Sequence, residues 1–297
     1  MVIVVFGVVT LVFFILRIAS GDPARLMNPP GQQEELVQLT RERIGTDKPI
    51  PVQFVLYLLG LTRGDLGISF HGGQPVLDEI LKAAPNTTLL AVVTIIFSST
   101  IALVIGIGAA LQANRFFDRA VLVYVSFALA TPSFWLGMVL VLYFAVKLRW
   151  LPAIDMEGPQ SFVLPVVTLA VALTPVLIRT VRHSFLETLS DDHVRAARAR
   201  GIKEHRVIFV HGLKVAAPPL VTLIGLQLGL ILAGSYVVEF IFNWPGIGKL
   251  TLDAVASRNF PMIQGGVLVA AVAFVVVNFL VDLAYAALDP RIRLNPR

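Results

Sequence analysis

Residues 86–112 read NTTLLAVVTIIFSSTIALVIGIGAALQ and contain no charged side chain. An α-helix rises about 1.5 Å per residue, so this stretch is long enough to cross the roughly 30 Å hydrocarbon core of a bilayer. Comparable apolar runs recur along the chain, which is 56% hydrophobic and only 14% charged. A water-soluble domain cannot bury that much apolar surface. The sequence therefore predicts an all-α membrane protein.

Six apolar runs are long enough to be read as transmembrane helices, one helix each. They are residues 2–19, 86–112, 120–146, 162–182, 216–241 and 263–287. A cleaved signal peptide is the alternative for the first and shortest run, but no basic residue precedes it, which favours a transmembrane helix whose start is truncated. Prolines inside or beside several runs are expected to kink the helices, either for packing alone or as a hinge along a translocation path.

Lysine and arginine are distributed unequally between the two sides of these spans. Thirteen of them lie in loop 113–119, loop 179–215 and the C-terminal tail, whereas the short loops of the other side hold four. Positive charge concentrates in cytoplasmic loops. We therefore expect loop 179–215 and both chain termini in the cytoplasm, and we attribute the net charge of +5 to this bias rather than to nucleic-acid binding.

The one long hydrophilic segment between spans is residues 20–85, which this orientation places outside the cell membrane. Residues 32–44 predict an amphipathic helix within it, residues 51–61 a second short helix, and residues 64–67 a turn. The segment is too small for a separate enzyme domain. The predicted organisation is a first helix at 1–19, an extracytoplasmic insertion at 20–85, a five-helix core at 86–287 that includes a cytoplasmic loop at 183–215, and a cytoplasmic tail at 288–297.

Ionisable residues are scarce in the spans. Asp282 falls near the cytoplasmic end of the last span and Glu239 near the outer end of the fifth. Ion-coupled carriers usually keep such groups at mid-membrane, so the chain is poorly supplied for ion-coupled transport and its energy is expected to come from elsewhere.

No catalytic, cofactor or metal site is predicted in this chain. It has no cysteine, which excludes disulfides and thiolate chemistry. Four histidines between residues 183 and 211 lack the spacing of metal ligands. Residues 246–249 resemble part of a phosphate-binding loop, but Leu250 stands where a magnesium-binding Ser or Thr is required. We read residues 243–246 instead as a tight turn beside an interfacial tryptophan.

The loop residues 190–201 read SDDHVRAARARG. We predict a short helix that Ser190 caps, with two acidic residues in its first turn and Gly201 in the left-handed position that ends it. Its alanines allow a partner to approach the backbone closely, and Arg195, Arg198 and Arg200 surround them with positive charge. With a second amphipathic segment at residues 206–215, the loop would form a knob that docks a soluble cytoplasmic protein. The alternative is an ordinary basic loop lying on anionic headgroups.

This loop resembles the EAA loop of ABC-importer permeases, and the chain is similar to the dipeptide/oligopeptide/nickel permease family along nearly its whole length. The matching motifs, in the family's order, are Gly21-Asp22-Pro23, Gly64-Asp65-Leu66-Gly67, Arg195-Ala196-Ala197 with Gly201, Trp244-Pro245-Gly246-Ile247-Gly248 and Leu288-Asp289-Pro290-Arg291-Ile292-Arg293. Two departures are the Arg at position 195 in place of the first Glu of the EAA motif and the missing basic segment before the first span.

The resemblance implies the type I permease fold of ABC importers, with six transmembrane helices, a cytoplasmic coupling-helix loop and an extracytoplasmic insertion after the first helix. It implies a multi-pass subunit of the bacterial inner membrane that forms half of a translocation path for peptides or related small solutes. Dipeptides, longer peptides, glutathione and nickel chelates all remain open as cargo. The implied partners are a second homologous permease, two cytoplasmic ATPases that hold ATP and Mg, and an extracytoplasmic substrate-binding protein.

The resemblance also implies a set of docking residues for the ATPase, within loop 190–203. They are Asp192, Val194, Arg195, Ala196, Ala197, Arg198, Ala199 and Gly201. Glu239 is a candidate for an outer gate, with a helix cap or a lipid-interface role as alternatives. Two rival functions remain at this point: an ion-coupled secondary transporter that works alone, and a membrane scaffold that docks a cytoplasmic protein through the same loop.

Overall fold

The computed structural model describes residues 2–19, 24–25, 28, 34–152 and 158–288. Within them the chain is helical, and the one β-type pairing is an isolated antiparallel bridge between Ile68 and Pro75. The helices are α1 (Val2–Ala19), α2 (Glu34–Ile44), α3 (Ile50–Thr62), α4 (Val76–Leu111), α5 (Phe116–Ala130), α6 (Ser133–Leu140), α7 (Val163–Ser190), α8 (Asp192–Ala199), α9 (Glu204–Arg206), α10 (Leu213–Gly234), α11 (Tyr236–Ile241), α12 (Ile247–Ala256) and α13 (Phe260–Leu288). A 3₁₀ turn at Pro159–Phe162 and π-helical segments at Val141–Lys147 and Val207–Gly212 complete the list.

Four helical stretches of the described chain are long and apolar enough to cross a membrane, and each matches a predicted span. They are Val76–Leu111, Pro159–Ser190, Ala217–Gly234 and Phe260–Ala284. The first predicted span is also helical, but its apolar part, Ile3–Ile18, is shorter than the other four. The predicted helices of the hydrophilic insertion are present as α2 and α3, and residues 32–33 lie outside the described residues.

The predicted span at residues 120–146 is not one helix, which corrects the sequence-based expectation. The chain bends by 96° between α5 and the helical stretch Ser133–Lys147. Thr131 is extended, with φ −88° and ψ 117°, and Pro132 follows it. The residue before a proline is disfavoured in the α region, and proline has no N–H for the helical ladder. Together these two residues end α5.

Two compact units divide the chain. One comprises Met1–Thr87 with Pro245–Val275, and the other Thr88–Trp244 with Val276–Arg297. Helix α4 begins in the first unit and ends in the second. The boundaries predicted at residues 19, 85 and 287 concern membrane topology rather than compactness, and they stay predictions.

The first unit packs the start of α4 with α12 and the start of α13. Its buried cluster includes Val76, Ile80 and Met262. The side-chain amide of Asn86 donates to the carbonyl oxygen of Pro245 (2.8 Å), and the hydroxyl of Thr87 accepts the backbone N–H of Ile247 (2.8 Å). These two bonds fix the start of α12. The predicted turn at residues 64–67 is present, with the Asp65 carboxylate accepting the N–H of Gly67 at 2.8 Å.

The second unit is built around α7, which packs against α5, α6 and α10. Leu177, Ile178, Val181 and Phe185 on α7 are fully buried. A Cβ at Gly106 of α4 would lie 2.7 Å from the Cβ of Val181, which is closer than real Cβ atoms pack. The close approach of α4 to α7 therefore requires the glycine.

Trp244 is buried in this second unit rather than interfacial, which corrects the reading of residues 243–246. Its side chain is 2% exposed and its ring packs edge-on against Phe162, with 4.7 Å between centroids. The turn itself is present, since Asn243 has φ 50°. The tryptophan closes the hydrophobic cluster that also contains Val238 and Phe242.

Candidate functional site

The loop between α7 and α10 is the candidate docking site, and its first helix starts one residue later than predicted. Asp191, with φ −68° and ψ 148°, occupies the N-cap position of α8 without a side-chain cap bond. The Ser190 hydroxyl instead donates back to the carbonyl oxygen of Glu187 at 2.7 Å. The prediction that Ser190 caps this helix is therefore wrong, because α7 runs on to residue 190 and retains that serine in its last turn.

The end of α8 is as predicted, with Gly201 in the left-handed conformation at φ 74°. The N–H of Gly201 donates to the carbonyl of Arg198 (2.9 Å), and the N–H of Ile202 donates to that of Ala197 (3.3 Å). This pair of bonds is a Schellman motif, which satisfies carbonyls that the helix end would leave unpaired. A Cβ at residue 201 would meet nothing within 4 Å, so the backbone conformation alone calls for glycine.

A small hydrophobic cluster holds the loop together. Val194 and Ala197 of α8 are buried against Val207, with Leu189 and Ile202 packed around them. Val194 is 0% exposed and Ala197 is 7% exposed. Both were predicted to dock a partner, but they face the interior of the loop, since residues three apart share a helix face. They lie beneath the surface of the loop, and their role in docking stays a prediction.

The other predicted docking residues are exposed, and we call this set the docking face. Its members are Asp192, Arg195, Ala196, Arg198, Ala199 and Gly201. Arg195 and Asp192 form an exposed ion pair at 3.5 Å.

Arg198 of α8 binds Glu204 of α9 and so links the two arms of the loop. Its guanidinium donates to both carboxylate oxygens, at 2.6 and 3.2 Å. This hydrogen bond lowers the pKa of Glu204 below its ordinary value and raises that of Arg198. Both side chains are about half exposed, so solvent weakens the pair. It fixes geometry more than it adds stability.

The loop is seated on the ends of the apolar helices. Phe185 of α7 and Ile208 of the returning segment are buried in one cluster with Ile107 of α4 and Leu220 of α10. The predicted amphipathic segment at 206–215 is present as α9, a π-helical turn and the first residues of α10. The base of the loop therefore packs against several helices of the second unit.

A buried ion pair that the sequence did not indicate lies close to this loop. Arg182 of α7 donates through Nε and Nη2 to the two carboxylate oxygens of Asp118 in α5, at 2.5 and 2.7 Å. The backbone N–H of Asn114 also donates to Asp118 at 2.8 Å. The Asp118 side chain is 2% exposed. The sequence shows each partner separately, as an acid in the first turn of α5 and an arginine at the end of an apolar run. The two residues are 64 positions apart, so the sequence does not indicate that they pair.

Glu239, the candidate outer gate, lies on α11 and is fully buried. The hydroxyl of Ser235 donates to its carboxylate at 2.7 Å, and its backbone carbonyl accepts the N–H of Trp244 at 2.8 Å. Any gating role requires this carboxylate to become accessible, and the role stays a prediction.

In the described residues no group of three His, Asp or Glu side chains is placed to hold a metal ion. His183 contacts Glu187 at 3.3 Å and His193 contacts Asp191 at 3.6 Å, both on exposed surface.

Two family models match the chain. Residues 102–294 match the binding-protein-dependent transport system inner membrane component, and residues 1–91 match the N-terminal part of such membrane components. The first model alone covers more than half of the chain.

Curated relatives match along almost the whole length. The glutathione transport system permease protein GsiC of Salmonella choleraesuis strain SC-B67 is 40% identical over 286 residues, which is 96% of this chain and 94% of that protein. GsiC of Escherichia coli strain K12 is 39% identical over 288 residues, 97% of this chain and 94% of that protein.

A solved structure of the MetNI methionine ABC transporter in inward-facing conformations has the same fold. Its matching chain superposes with a TM-score of 0.60 at 18% identity, covering 71% of this chain and 96% of that chain. The type I permease fold of ABC importers is thereby confirmed. The chain belongs to the family of binding-protein-dependent transport system inner membrane components, and it is a permease subunit of an ABC importer.

Proposed function

We propose that this permease forms half of the translocation path of an ATP-driven importer for glutathione or similar small peptides, and that the docking face couples it to an ATPase. The observation that supports the coupling role most directly is the construction of the loop. Its Schellman end, its own hydrophobic cluster and the Arg198–Glu204 bond make a rigid body. A rigid loop can transmit a movement of the ATPase to the transmembrane helices against which it packs.

In this proposal the ATPase subunits bind and hydrolyse ATP, and the permease subunits form the path for the cargo. ATP and Mg would be held by the partner ATPases, which close on nucleotide. This chain supplies the exposed cations Arg195 and Arg200 and the small side chains Ala196 and Ala199 for an ATPase surface to contact. The charge asymmetry between loops supports placing this face in the cytoplasm, with both chain termini on the same side.

The partners follow from the same proposal. A second, similar permease would complete the path, two ATPases would bind the docking faces, and an extracytoplasmic binding protein would deliver cargo to residues 20–85 and 240–262. The cargo proposal rests on the 40% identity to a glutathione permease over nearly the full length. Selectivity in such importers is shared with the binding protein, so glutathione is the first cargo to test.

The deciding experiment has two stages. First, the tagged chain is purified from its native membrane in mild detergent, and the proteins that accompany it are identified by mass spectrometry. We expect a second permease and P-loop ATPases. Recovery of a folded chain alone, or with unrelated proteins, would contradict the proposal.

The second stage tests cargo and energy source. The purified complex is reconstituted in liposomes with its binding protein, and uptake of labelled glutathione is measured with ATP, with a non-hydrolysable analogue and with an ion gradient alone. We expect uptake with ATP only. Uptake driven by the ion gradient alone would overturn the coupling proposal. ATP-driven uptake of other peptides, but not of glutathione, would overturn the cargo proposal alone.

A further inference from the structure

Helix α3 is predominantly apolar, although it belongs to the hydrophilic insertion. It reads IPVQFVLYLLGLT and has no charged side chain, whereas α2 of the same insertion reads EELVQLTRERI and has five. A helix of a water-exposed segment normally carries a polar face. The composition of α3 therefore calls for an apolar environment on more than one side.

One face of α3 packs against α1 through aromatic rings. Phe54 lies 5.1 Å from Phe13 and 5.3 Å from Phe14 between ring centroids, and it meets Phe6 edge-on with 6.4 Å between centroids. Tyr57 stacks on Phe13 at 5.5 Å. These contacts account for the apolar side chains on this face of α3.

The opposite face of α3 is left exposed by the residues that the structure describes. Val52, Val55, Leu56 and Leu59 follow the spacing of a single helix face and are 43–53% exposed. No residue of α3 is buried. We call these four residues the α3 stripe. Keeping such a stripe in water is unfavourable, because apolar surface is driven out of it.

The surroundings of the stripe indicate lipid. Helix α1, against which α3 packs, also exposes large apolar side chains, Leu11, Ile15 and Ile18, and it belongs to an inner-membrane protein. Charged residues flank α3 on both sides, at positions 47–48 and at 63 and 65. Its 13 residues extend about 20 Å, less than the roughly 30 Å hydrocarbon core. A helix of this length with charges at both ends fits along the bilayer interface rather than across it.

Arg17 marks the polar boundary. Near the end of α1 its Nε donates to the side-chain oxygen of Gln53 at 2.9 Å, and its guanidinium lies 4.1 Å from the centroid of the Phe13 ring. Arginines near the ends of membrane helices place the charged group at the interface while the stem stays among apolar groups. The first turn of α3 therefore lies at the level where α1 leaves the hydrocarbon.

We propose that α3 is a membrane-interface helix, and that the α3 stripe is inserted among the lipid acyl chains beside α1. The insertion would then be anchored to the bilayer at its middle, with α2 on the aqueous side. This proposal concerns the membrane and is independent of the cargo and of ATPase coupling.

The chain has no cysteine, so single cysteines can report local surroundings without removing any native one. The variants are Val55→Cys and Leu59→Cys in the stripe, with Glu35→Cys on the exposed face of α2 as the matched control. Val52→Cys and Leu56→Cys provide a second pair if either stripe variant fails to fold. Each is spin-labelled in the assembled complex in nanodiscs, and collision with oxygen, which partitions into lipid, is compared with collision with a water-soluble nickel chelate.

We expect the stripe labels to collide several-fold more with oxygen relative to nickel than the control label at residue 35 does. Stripe labels that collide with nickel as readily as the control would place the stripe in water and overturn the proposal. Stripe labels that neither reagent reaches would show that a protein partner covers it, which also overturns the proposal.

Discussion

Arg182 and Asp118 form a two-pronged ion pair that joins the last third of α7 to the first turn of α5, with the carboxylate almost fully buried. Arg182 is the last residue of the predicted fourth span, and α7 continues from it to Ser190, where the loop that carries the docking face begins. The pair therefore ties α5 to the helix that leads into this loop. Removing one partner of a buried pair leaves an uncompensated charge, whereas replacing both can be neutral.

We predict that Asp118→Ala destabilises the protein by about 3 kcal/mol, near the lower end of the range for breaking a buried pair. A lower thermal unfolding temperature of the purified variant in detergent would report this loss of stability. The control is the double variant Asp118→Leu with Arg182→Met, which removes both charges and should recover much of the loss. If Asp118→Ala were as stable as the unmodified protein, the ion pair would not contribute to the stability of the fold.

The end of α8 gives a second prediction. Gly201→Val should impair uptake, because a β-branched residue resists a φ of 74° at a cost of about 1–3 kcal/mol. Since no atom lies within 4 Å of the position of a Cβ, the effect is conformational and not steric. Gly201→Asn is the matched control, because asparagine tolerates this region better.

Uptake by reconstituted complexes, together with thermal unfolding of the whole protein, distinguishes a local effect from a global one. We expect the valine variant to lose most uptake while the bundle unfolds at nearly the original temperature, and the asparagine variant to keep more. Full uptake with valine would remove the proposed role of this turn.

Adjacent alanines of α8 provide a matched pair, one on the docking face and one buried beneath it. Ala196 is exposed, whereas Ala197 is buried against Val194 and Val207. Ala196→Glu should weaken ATPase docking and leave the loop folded. Ala197→Glu should unfold the loop, because a carboxylate would be buried without a partner.

Co-purification of the ATPase and limited proteolysis of residues 190–212 separate these two effects. Both variants should lose the ATPase, but only Ala197→Glu should become sensitive to protease within the loop. Normal ATPase recovery with Ala196→Glu would contradict the assignment of this face.

The apolar helices other than the bent one at 120–146, the α8 helix and its glycine end could be predicted from the sequence, because each depends on local patterns: apolar runs, small residues and a left-handed terminator. Ser190 was misplaced because helix propensity does not tell where α7 stops. The burial of Val194 and Ala197, two of the predicted docking residues, could not be foreseen because the orientation of a short helix is set by what packs beneath it. The Arg182–Asp118 pair is tertiary, and no pattern within either helix relates the two residues.

Burial also explains the error at Trp244. A tryptophan next to Pro-Gly at the predicted end of a span is typical of a membrane interface. Here the ring instead packs on Phe162. Only the three-dimensional approach of the turn to residues 159–162 decides between these environments.

The Arg198–Glu204 bond gives a prediction for pH. Arg198 lowers the pKa of Glu204 from its ordinary value of 4.5, so the bond contributes stability that is present above that pH and is lost as the pH falls through the lower, folded-state pKa. Acidification should therefore loosen the link between α8 and α9. Both side chains are partly exposed, and the effect should be small and confined to the loop.

Hydrogen exchange of the amides in residues 198–207 measures this loosening, after correction for the intrinsic pH dependence of exchange. Glu204→Gln is the control, because its amide does not titrate and its exchange protection should not change over the same range. Equal acid sensitivity in both proteins would assign the change to another group.

Glu239 offers the last test, of the proposed outer gate. Glutamine has nearly the same shape as glutamate, and its side-chain oxygen can still accept the Ser235 hydroxyl, which lies 2.7 Å from the carboxylate. Glu239→Gln should therefore leave the fold intact while replacing the carboxyl group with an amide, which cannot ionise. If the carboxylate acts when the path opens, uptake falls several-fold at unchanged thermal stability. Ser235→Ala, which removes the hydroxyl but keeps the carboxyl group of Glu239, should reduce uptake less. Unchanged uptake in Glu239→Gln would eliminate the gate and leave Glu239 as a structural link at the start of α11.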